Sequence, residues 1–225
     1  MGPDVLSSAQ ELWPKMSPCG IIDSAFANWR GGLALAASFG IETGVLIDLV
    51  TKVDPETPII TIDTGYLPDE TLAYREELVS WFARERDIAL NLHVCRPEFS
   101  PRVLEARYGK LWESDRRHYN ELVKLAPMRR AIKRLGVDAL FYGMRRGQTA
   151  ERAQLGPVER PAGGIVQIYP FFFWDRAMVN AHLLHAGIPQ HPLAPYYEHV
   201  GDRHFLDDPA QVECGLKTLA LVFAA

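Results

Sequence analysis

The feature that most constrains the fold is the alternation of short apolar runs with helical patterns along the chain. Five runs have the length and composition of buried strands, at residues 33–37, 58–62, 88–94, 139–142 and 165–169. Helical patterns occupy residues 45–50, 70–86, 127–135 and 175–185, the last with Asp175 as its N-cap. Strands that alternate with helices predict an α/β fold, with a mostly parallel sheet and helices on both faces.

The size and composition of the chain fit a single globular domain. The chain has 225 residues, of which 48% are hydrophobic and 23% charged, so it can bury a full core. The first thirty residues and those after Pro189 fall outside the strand–helix alternation. We therefore expect both ends of the chain to be peripheral arms.

The three cysteines and the absence of targeting patterns indicate a cytoplasmic protein. Residues 1–14 lack the basic start and apolar core of a signal peptide, and no apolar run is long enough for a membrane span. Cys19, Cys95 and Cys214 are far apart and odd in number, so we expect no disulfide framework. The cysteines and histidines show no metal-ligand spacing, so we also expect no metal site.

Basic residues are concentrated in one part of an acidic chain. The net charge is −4, but residues 116–160 contain eleven Lys or Arg and four Asp or Glu, a local charge of +7. This pattern predicts a local anion site and no nucleic-acid partner. The alternative is a solvated basic helix face, which is common for a run of charges.

Two motifs follow strands at the edge of the sheet where ligands bind in such folds. The first strand is followed by Ser38, Phe39 and Gly40, whose hydroxyl and backbone N–H groups suit a phosphate at a helix start. The second strand is followed by Asp63, Thr64 and Gly65, where the carboxylate suits a ribose or adenine group. A simple turn or N-cap is the alternative at each position.

A third motif follows the fourth strand and is rich in arginine. It comprises Gly143, Arg145 and Arg146, with Arg152 a few residues further on. Arginines at a strand end suit bidentate binding of phosphate or sulfate. Surface salt bridges are the alternative.

A solitary cysteine, Cys214, lies between Glu213 and Gly215 near the C-terminus. With a basic segment elsewhere in the chain, it suggests a nucleophile that acts on a highly charged substrate. An inert tail residue is the alternative. Lys217 and the arginines favour the thiolate form, whereas Glu213 disfavours it through like charge.

Taken together, these residues resemble the phosphoadenylyl-sulfate reductases, the thioredoxin-dependent enzymes of assimilatory sulfate reduction. The resemblance extends from about Leu33 to Cys214. Besides the motifs above, it rests on the octapeptide from Glu105 to Trp112, on Lys124, Pro127, Met128, Arg130 and Ala131, on Val200-Gly201-Asp202, and on Glu213-Cys214-Gly215-Leu216. Such a joint order over most of the chain is very specific.

The resemblance implies a fold, a division of the chain and partners. The fold is adenine-nucleotide α-hydrolase-like, related to the ATP pyrophosphatases. Residues 1–30 are then an N-terminal helical arm, 31–200 the nucleotide-binding α/β domain, and 201–225 a mobile tail that carries Cys214. The partners are a small sulfonucleotide, thioredoxin or glutaredoxin as electron donor, and a second copy in a homodimer. The substrate-binding residues include Lys124 and Arg130 with the three strand-end motifs.

The resemblance also implies that no cofactor is bound. Adenylyl-sulfate reductases are similar to this chain but carry a 4Fe–4S cluster on two cysteine pairs. Those pairs would align at Tyr119 and Asn120 and at Asp202 and Phe205, none of which is cysteine. Three scattered cysteines cannot hold such a cluster. A protein without a cluster favours the 3′-phosphorylated substrate, and Cys214 is then the nucleophile that becomes S-sulfonated.

Three other functions stay open at this point. A cluster-free adenylyl-sulfate reductase would use the nucleotide without the 3′-phosphate. A nucleotide-binding homologue would have kept the fold with lost or altered turnover; Lys217, where the family usually has histidine, and the apolar run 219–225 favour it. An ATP pyrophosphatase-type adenylating enzyme would need a Ser-Gly-Gly-x-Asp-Ser loop, and residues 37–42 are too poor in glycine for one.

Overall fold

A six-stranded sheet forms the centre of the protein. The computed structural model describes residues 3–161, 164–197 and 199–206. Its strands are β1 (Leu33–Ala36), β2 (Ile59–Ile62), β3 (Leu92–Cys95), β4 (Ala139–Tyr142), β5 (Val158–Glu159) and β6 (Val166–Ile168). The spatial order is β3-β2-β1-β4-β6-β5, and every neighbouring pair is parallel except β5 with β6. The predicted mostly parallel α/β fold is confirmed.

Nine α-helices connect and cover the strands in the described residues. They are α1 (Pro3–Leu12), α2 (Pro18–Trp29), α3 (Thr43–Thr51), α4 (Asp69–Arg86), α5 (Pro101–Tyr108), α6 (Leu111–Ser114), α7 (Arg116–Asn120), α8 (Ala126–Leu135) and α9 (Arg176–Ala186). A π-helical turn, Glu121–Leu125, joins α7 to α8. None of the described helices is long and apolar enough to cross a membrane.

Helices lie on both faces of the sheet. All four residues of β1 are buried, and alternate residues of a strand face opposite sides, so both faces of the sheet are covered. Leu33 and Leu35 of β1 pack against α2, α3, α4 and α9 in the larger core cluster. Ala34 and Ala36 face α8 in a second cluster. The small side chains on this second face let α8 lie close to the ends of the central strands.

The N-terminal segment is part of the core, which corrects the prediction of a peripheral arm. Trp13, Ile22 and Trp29 are at most 3% exposed and belong to the larger core cluster. The rings of Trp13 and Trp29 meet edge to face at a centroid distance of 6.1 Å. The strand–helix alternation does not extend to this segment, but the apolar faces of its helices are buried only if they pack on the rest of the domain.

The described beginning of the predicted tail is also packed. Asp202 is fully buried and Phe205 is 6% exposed. The Arg203 N–H donates to the carbonyl oxygen of Tyr66 at 2.8 Å, and the His204 ring stacks on Trp112 at 4.5 Å. The described residues of the predicted tail, up to Leu206, are therefore packed on the domain. Cys214 and Lys217 lie outside the described residues.

Candidate active site

The direction of the chain connections reverses at the centre of the sheet, between β1 and β4. From β1 the chain proceeds outward through β2 to β3, and it returns to β4 on the other side of β1. Ligands of open α/β sheets bind in the crevice outside the carboxyl ends of the strands at such a point. The segments that follow β1 and β4 here contain the Ser38 and Gly143 motifs.

Two neighbouring cavities lie at this crevice. The first, which we call the polar cavity because more polar side chains line it than line the second, encloses about 790 Å³ of space that includes open solvent. It is lined by polar or charged side chains and two glycines, and also by apolar side chains: Ser38, Gly40, Glu42, Thr43, Gly143, Gln148, Arg152 and Gln167, with Ile41, Leu46, Met144 and Val200 among the apolar residues. The apolar cavity, about 420 Å³ by the same measure, is lined by Ile62, Leu67, Met128 and Val200, with Thr64, Lys124 and Asp202 at one side. Ser38 and Val200 line both cavities.

The turn after β1 has a strained backbone that its own packing maintains. Phe39 has a φ of 51°, a left-handed value that is uncommon for a large side chain. Its ring is only 1% exposed and belongs to the larger core cluster, which holds the turn in place. The Gly40 N–H donates to Ser38 Oγ at 3.3 Å, and the Thr43 N–H to the Gly40 carbonyl oxygen at 3.2 Å. This turn brings the N-terminus of α3 to the polar cavity.

The turn after β2 connects the sheet to the C-terminal segment. Thr64 Oγ1 donates to Asp202 Oδ1 at 2.5 Å. Asp63 is paired with Arg96, whose Nη2 lies 3.1 Å from Oδ2. Gly65 has a φ of +78°, and an added Cβ would lie 2.6 Å from Pro101 Cγ, so both conformation and space require glycine. Asp63 and Gly65 shape the turn and do not line either cavity.

The Asp202 carboxylate is the centre of a buried hydrogen-bond network. Lys124 Nζ lies 2.8 Å from Asp202 Oδ2, and the Tyr119 hydroxyl donates to the same oxygen at 2.9 Å. Burial alone would raise the pKa of Asp202, but the Lys124 ammonium and the hydrogen bonds from Thr64 and Tyr119 hold the pKa below its ordinary value. Burial and the carboxylate raise the pKa of Tyr119, so the phenol stays protonated and can donate. The network fixes the Lys124 ammonium at the apolar cavity.

The arginines after β4 have three different environments. Arg145 is 3% exposed, and its Nε and Nη2 each lie 3.0 Å from Glu42 Oε1. Burial raises the pKa of Glu42, while the Arg145 guanidinium acts in the opposite direction. Arg152 is buried, lines the polar cavity and donates through Nη1 to Gln148 Oε1. Arg146 is exposed.

The environment of Arg145 leads to a stability prediction. Arg145→Lys should lower the free energy of unfolding by about 1–3 kcal/mol, because lysine cannot donate both bonds to Glu42 in a buried pair. Arg146→Lys, at an exposed neighbouring position, should stay within about 0.5 kcal/mol of the parent protein. Urea unfolding of the two variants makes the comparison. Equal stabilities would contradict a structural role for Arg145.

The structure brings six of the predicted binding residues to the two cavities: Ser38, Gly40, Thr64, Lys124, Gly143 and Arg152. Six others are not part of either lining: Phe39, Asp63, Gly65, Arg130, Arg145 and Arg146. Arg145, for which the sequence predicts phosphate binding, is buried and paired with Glu42. Arg130 is exposed and donates to the Arg96 carbonyl oxygen at 3.1 Å.

Several cavity residues were missed by sequence reasoning. Glu42, Gln148 and Gln167 are single polar residues without a recognisable spacing. Asp202 belongs to the Val200-Gly201-Asp202 motif, but nothing in the sequence indicates that its carboxylate is buried. Among the residues that the structure describes, no group of three or more His, Cys, Asp or Glu side chains is placed to hold a metal ion.

The fold and the position of the cavities define the class of protein. A mostly parallel sheet with a two-part cleft at the β1/β4 reversal is an adenine-nucleotide α-hydrolase-like arrangement. FMN adenylyltransferase from Candida glabrata, bound to FAD and pyrophosphate, shares this fold with a TM-score of 0.57 at 14% identity, over 88% of this chain and 70% of that one.

The comparisons then narrow the class to one family. The family model described as phosphoadenosine phosphosulfate reductase domain matches residues 32–206. The phosphoadenosine 5′-phosphosulfate reductase of Yersinia enterocolitica is 41% identical over 184 residues, which cover 80% of this chain and 72% of the relative. The Synechococcus reductase is 41% identical over 189 residues, covering 82% and 78%.

A solved structure agrees with these relatives. Phosphoadenylyl-sulfate reductase from Candida auris, a phosphate complex, matches with a TM-score of 0.76 and 28% identity over 91% of this chain and 97% of that one. The chain belongs to the phosphoadenosine phosphosulfate reductase domain family. It is therefore an oxidoreductase that acts on a sulfur group.

Proposed function

We propose that this protein reduces 3′-phosphoadenylyl sulfate to sulfite and adenosine 3′,5′-bisphosphate, with thioredoxin or glutaredoxin as electron donor, in sulfate assimilation. The observation that carries the proposal is the two-part cleft in a chain of this family. An apolar cavity between Ile62 and Met128 suits a purine. The polar cavity suits the charged groups of the same nucleotide, and Ser38 borders both.

The charged groups of the site support binding of an anionic substrate. Lys124 is held at the apolar cavity by Asp202, and Arg152 lines the polar cavity. The N-terminus of α3 also faces the polar cavity through Thr43, where helix N–H groups favour an anion. We assign substrate binding to these groups with Ser38, Gly40, Thr64 and Gly143. Positive groups fixed near the leaving phosphate stabilise the charge that develops there.

The chemistry is a nucleophilic attack on sulfur by Cys214. Its thiolate forms a bond to the sulfate sulfur, the bond from that sulfur to the phosphate oxygen breaks, and adenosine 3′,5′-bisphosphate leaves. A thioredoxin thiolate then attacks Cys214 Sγ, sulfite leaves with the electron pair, and a mixed disulfide remains. The second thioredoxin cysteine resolves that disulfide and frees Cys214. Thioredoxin loses the two electrons that the sulfur gains.

The position of the C-terminal segment is compatible with this role for Cys214. Val200, Gly201 and Asp202 line the apolar cavity, so the segment that precedes Cys214 passes along the wall of the cleft. Eight positions separate Leu206 from Cys214. An extended chain of that length spans at most about 29 Å, at roughly 3.6 Å per residue. The proposal requires the thiol to reach the cleft within this length of chain.

The proposal includes a protein without a bound iron–sulfur cluster, in the cytoplasm, as a homodimer. In the structure, the Asp202 carboxylate accepts a hydrogen bond from the Tyr119 hydroxyl and is paired with the Lys124 ammonium. Two of the positions where the related enzymes have cluster cysteines thus belong to a hydrogen-bond network within the protein. The purified protein should accordingly be colourless.

The assay that tests the proposal measures sulfite release with thioredoxin, with 3′-phosphoadenylyl sulfate and adenylyl sulfate in parallel. We expect sulfite from the 3′-phosphorylated substrate and much less from the other. A preference for adenylyl sulfate would identify a cluster-free adenylyl-sulfate reductase. Tight nucleotide binding without sulfite from either compound would identify a nucleotide-binding homologue. Omission of thioredoxin, with its reductase retained, is the control for the electron donor.

A further inference from the structure

Gln167 is a polar residue in an otherwise apolar part of the sheet. It lies in the middle of β6, is 5% exposed, and pairs in register with Leu140 of β4. Its neighbours along the strand are Val166 and Ile168. An apolar side chain would pack equally well here, so the presence of a buried amide is explained only by hydrogen bonds that the amide makes.

The hydrogen bonds of this amide leave its donor atom available. The Tyr169 hydroxyl donates to Gln167 Oε1 at 2.7 Å, which fixes the orientation of the amide plane. The Nε2 atom on the other side is buried and has no hydrogen-bond partner among the residues that the structure describes. A buried N–H group without an acceptor is costly, so such groups in native proteins usually meet a ligand or an ordered water.

The Gln167 side chain also lines the polar cavity. Arg152, Tyr142 and Tyr169 line the same cavity, and so do Ser38 and Gly40 in the turn after β1. Arg152 and Nε2 of Gln167 are both donors, so a ligand group that contacts both in this cavity is rich in acceptors. An oxyanion has several acceptor oxygens for such donors, whereas the purine has a better-matched apolar cavity beside Met128.

We propose that Gln167 is a substrate-binding residue that donates a hydrogen bond from Nε2 to a phosphate oxygen of the nucleotide. This inference rests on the proposed function and deepens it, because it assigns the polar cavity to an oxyanion. A sulfonucleotide offers two sources of that chemistry, the 5′-phosphosulfate and the 3′-phosphate. Tyr169 is a positioning residue, since it holds the amide in the orientation that presents the donor.

Calorimetric titration of the full chain tests the inference, with adenosine 3′,5′-bisphosphate, AMP and adenosine as probes. Gln167→Met keeps the length of the side chain and removes the donor. We expect about a tenfold weaker affinity for the bisphosphate, the usual effect of one lost hydrogen bond to a charged group, and unchanged affinity for adenosine. If AMP weakens as well, the oxyanion is the 5′ group; if AMP is unchanged, it is the 3′-phosphate.

Tyr169→Phe is the matched control, because it removes the same internal hydrogen bond but leaves the amide donor. We expect it to weaken bisphosphate binding clearly less than Gln167→Met does. Equal losses in both variants, a parallel loss for adenosine, or unchanged affinity for every probe would each overturn the inference. Melting temperatures check folding, and Gln167→Leu provides a second apolar variant if Gln167→Met does not fold.

These results are separable from those for the proposed function. Sulfite release by the wild-type protein together with unchanged affinities in Gln167→Met would remove this inference alone. Absence of sulfite release together with a selective loss of bisphosphate affinity would remove the proposed function and leave the oxyanion contact standing.

Discussion

Cys214→Ser should reduce thioredoxin-dependent sulfite release to the level of the reaction without enzyme. A serine hydroxyl is protonated at neutral pH and cannot form the sulfur–sulfur bond of the S-sulfocysteine intermediate. Affinity for adenosine 3′,5′-bisphosphate should stay within about twofold, because the charged and polar groups assigned to the nucleotide are side chains of the domain that line the two cavities. Sulfite assays and calorimetric titration on the same preparation separate the two effects.

Cys19→Ser and Cys95→Ser are the matched controls for this experiment. Cys19 is exposed on α2, and Cys95 lies at the end of β3, where Arg134 contacts its sulfur at 3.9 Å. Both variants should retain sulfite release. Loss of activity in either of them with normal activity in Cys214→Ser would contradict the assignment of the nucleophile.

Asp202→Ala should destabilise the protein by about 3–5 kcal/mol, the range for removal of one partner from a buried ion pair. Asp202 is fully buried and Lys124 is 5% exposed, so the ammonium would keep its desolvation cost and lose its countercharge. Thr64 and Tyr119 would lose their acceptor as well. Urea unfolding measures the change. Asp69→Ala is the control: its carboxylate is 93% exposed and 4.0 Å from Arg203, so it should change stability by less than about 0.5 kcal/mol.

The effect of Asp202→Ala should also depend on pH. The pKa of Asp202 is lowered in the folded state, which means that the folded protein stabilises the ionised carboxylate more than the unfolded chain does. The stabilisation is therefore present above the unfolded pKa of about 3.8 and decreases as the pH falls through the folded value. The difference between the parent protein and the variant should shrink in acid. A small or pH-independent difference would contradict the network around Asp202.

Most of the sheet could be predicted because its central strands are buried on both faces. Runs such as residues 139–142 contain only apolar or aromatic residues and need no tertiary information, and β4 has these bounds in the structure. The sequence predicts the third strand at residues 88–94, whereas β3 is Leu92–Cys95. The prediction is shifted because the alternation of a half-buried strand also extends into its flanking residues. The short antiparallel β5 has two residues, too few for any periodicity.

The site was only partly predictable, for a physical reason. Strand-end motifs indicate which residues lie near a cleft, because parallel strands end at one edge of the sheet. They do not indicate whether a charged side chain forms an ion pair within the protein or faces the cleft. Arg145 and Arg152 follow the same strand, yet one pairs with Glu42 and the other lines the cavity. The partners Glu42 and Asp202 are distant in sequence, so only the fold brings them together.

The most direct test of the central claim is intact-mass and peptide mass spectrometry after incubation with 3′-phosphoadenylyl sulfate in the absence of reductant. Without thioredoxin the second step cannot proceed, so the covalent intermediate should accumulate. The account predicts one sulfonate group per chain, located on the peptide that contains Cys214 and released as sulfite when thioredoxin is added. A protein that turns over substrate without this adduct, or with the adduct on Cys19 or Cys95, would contradict it.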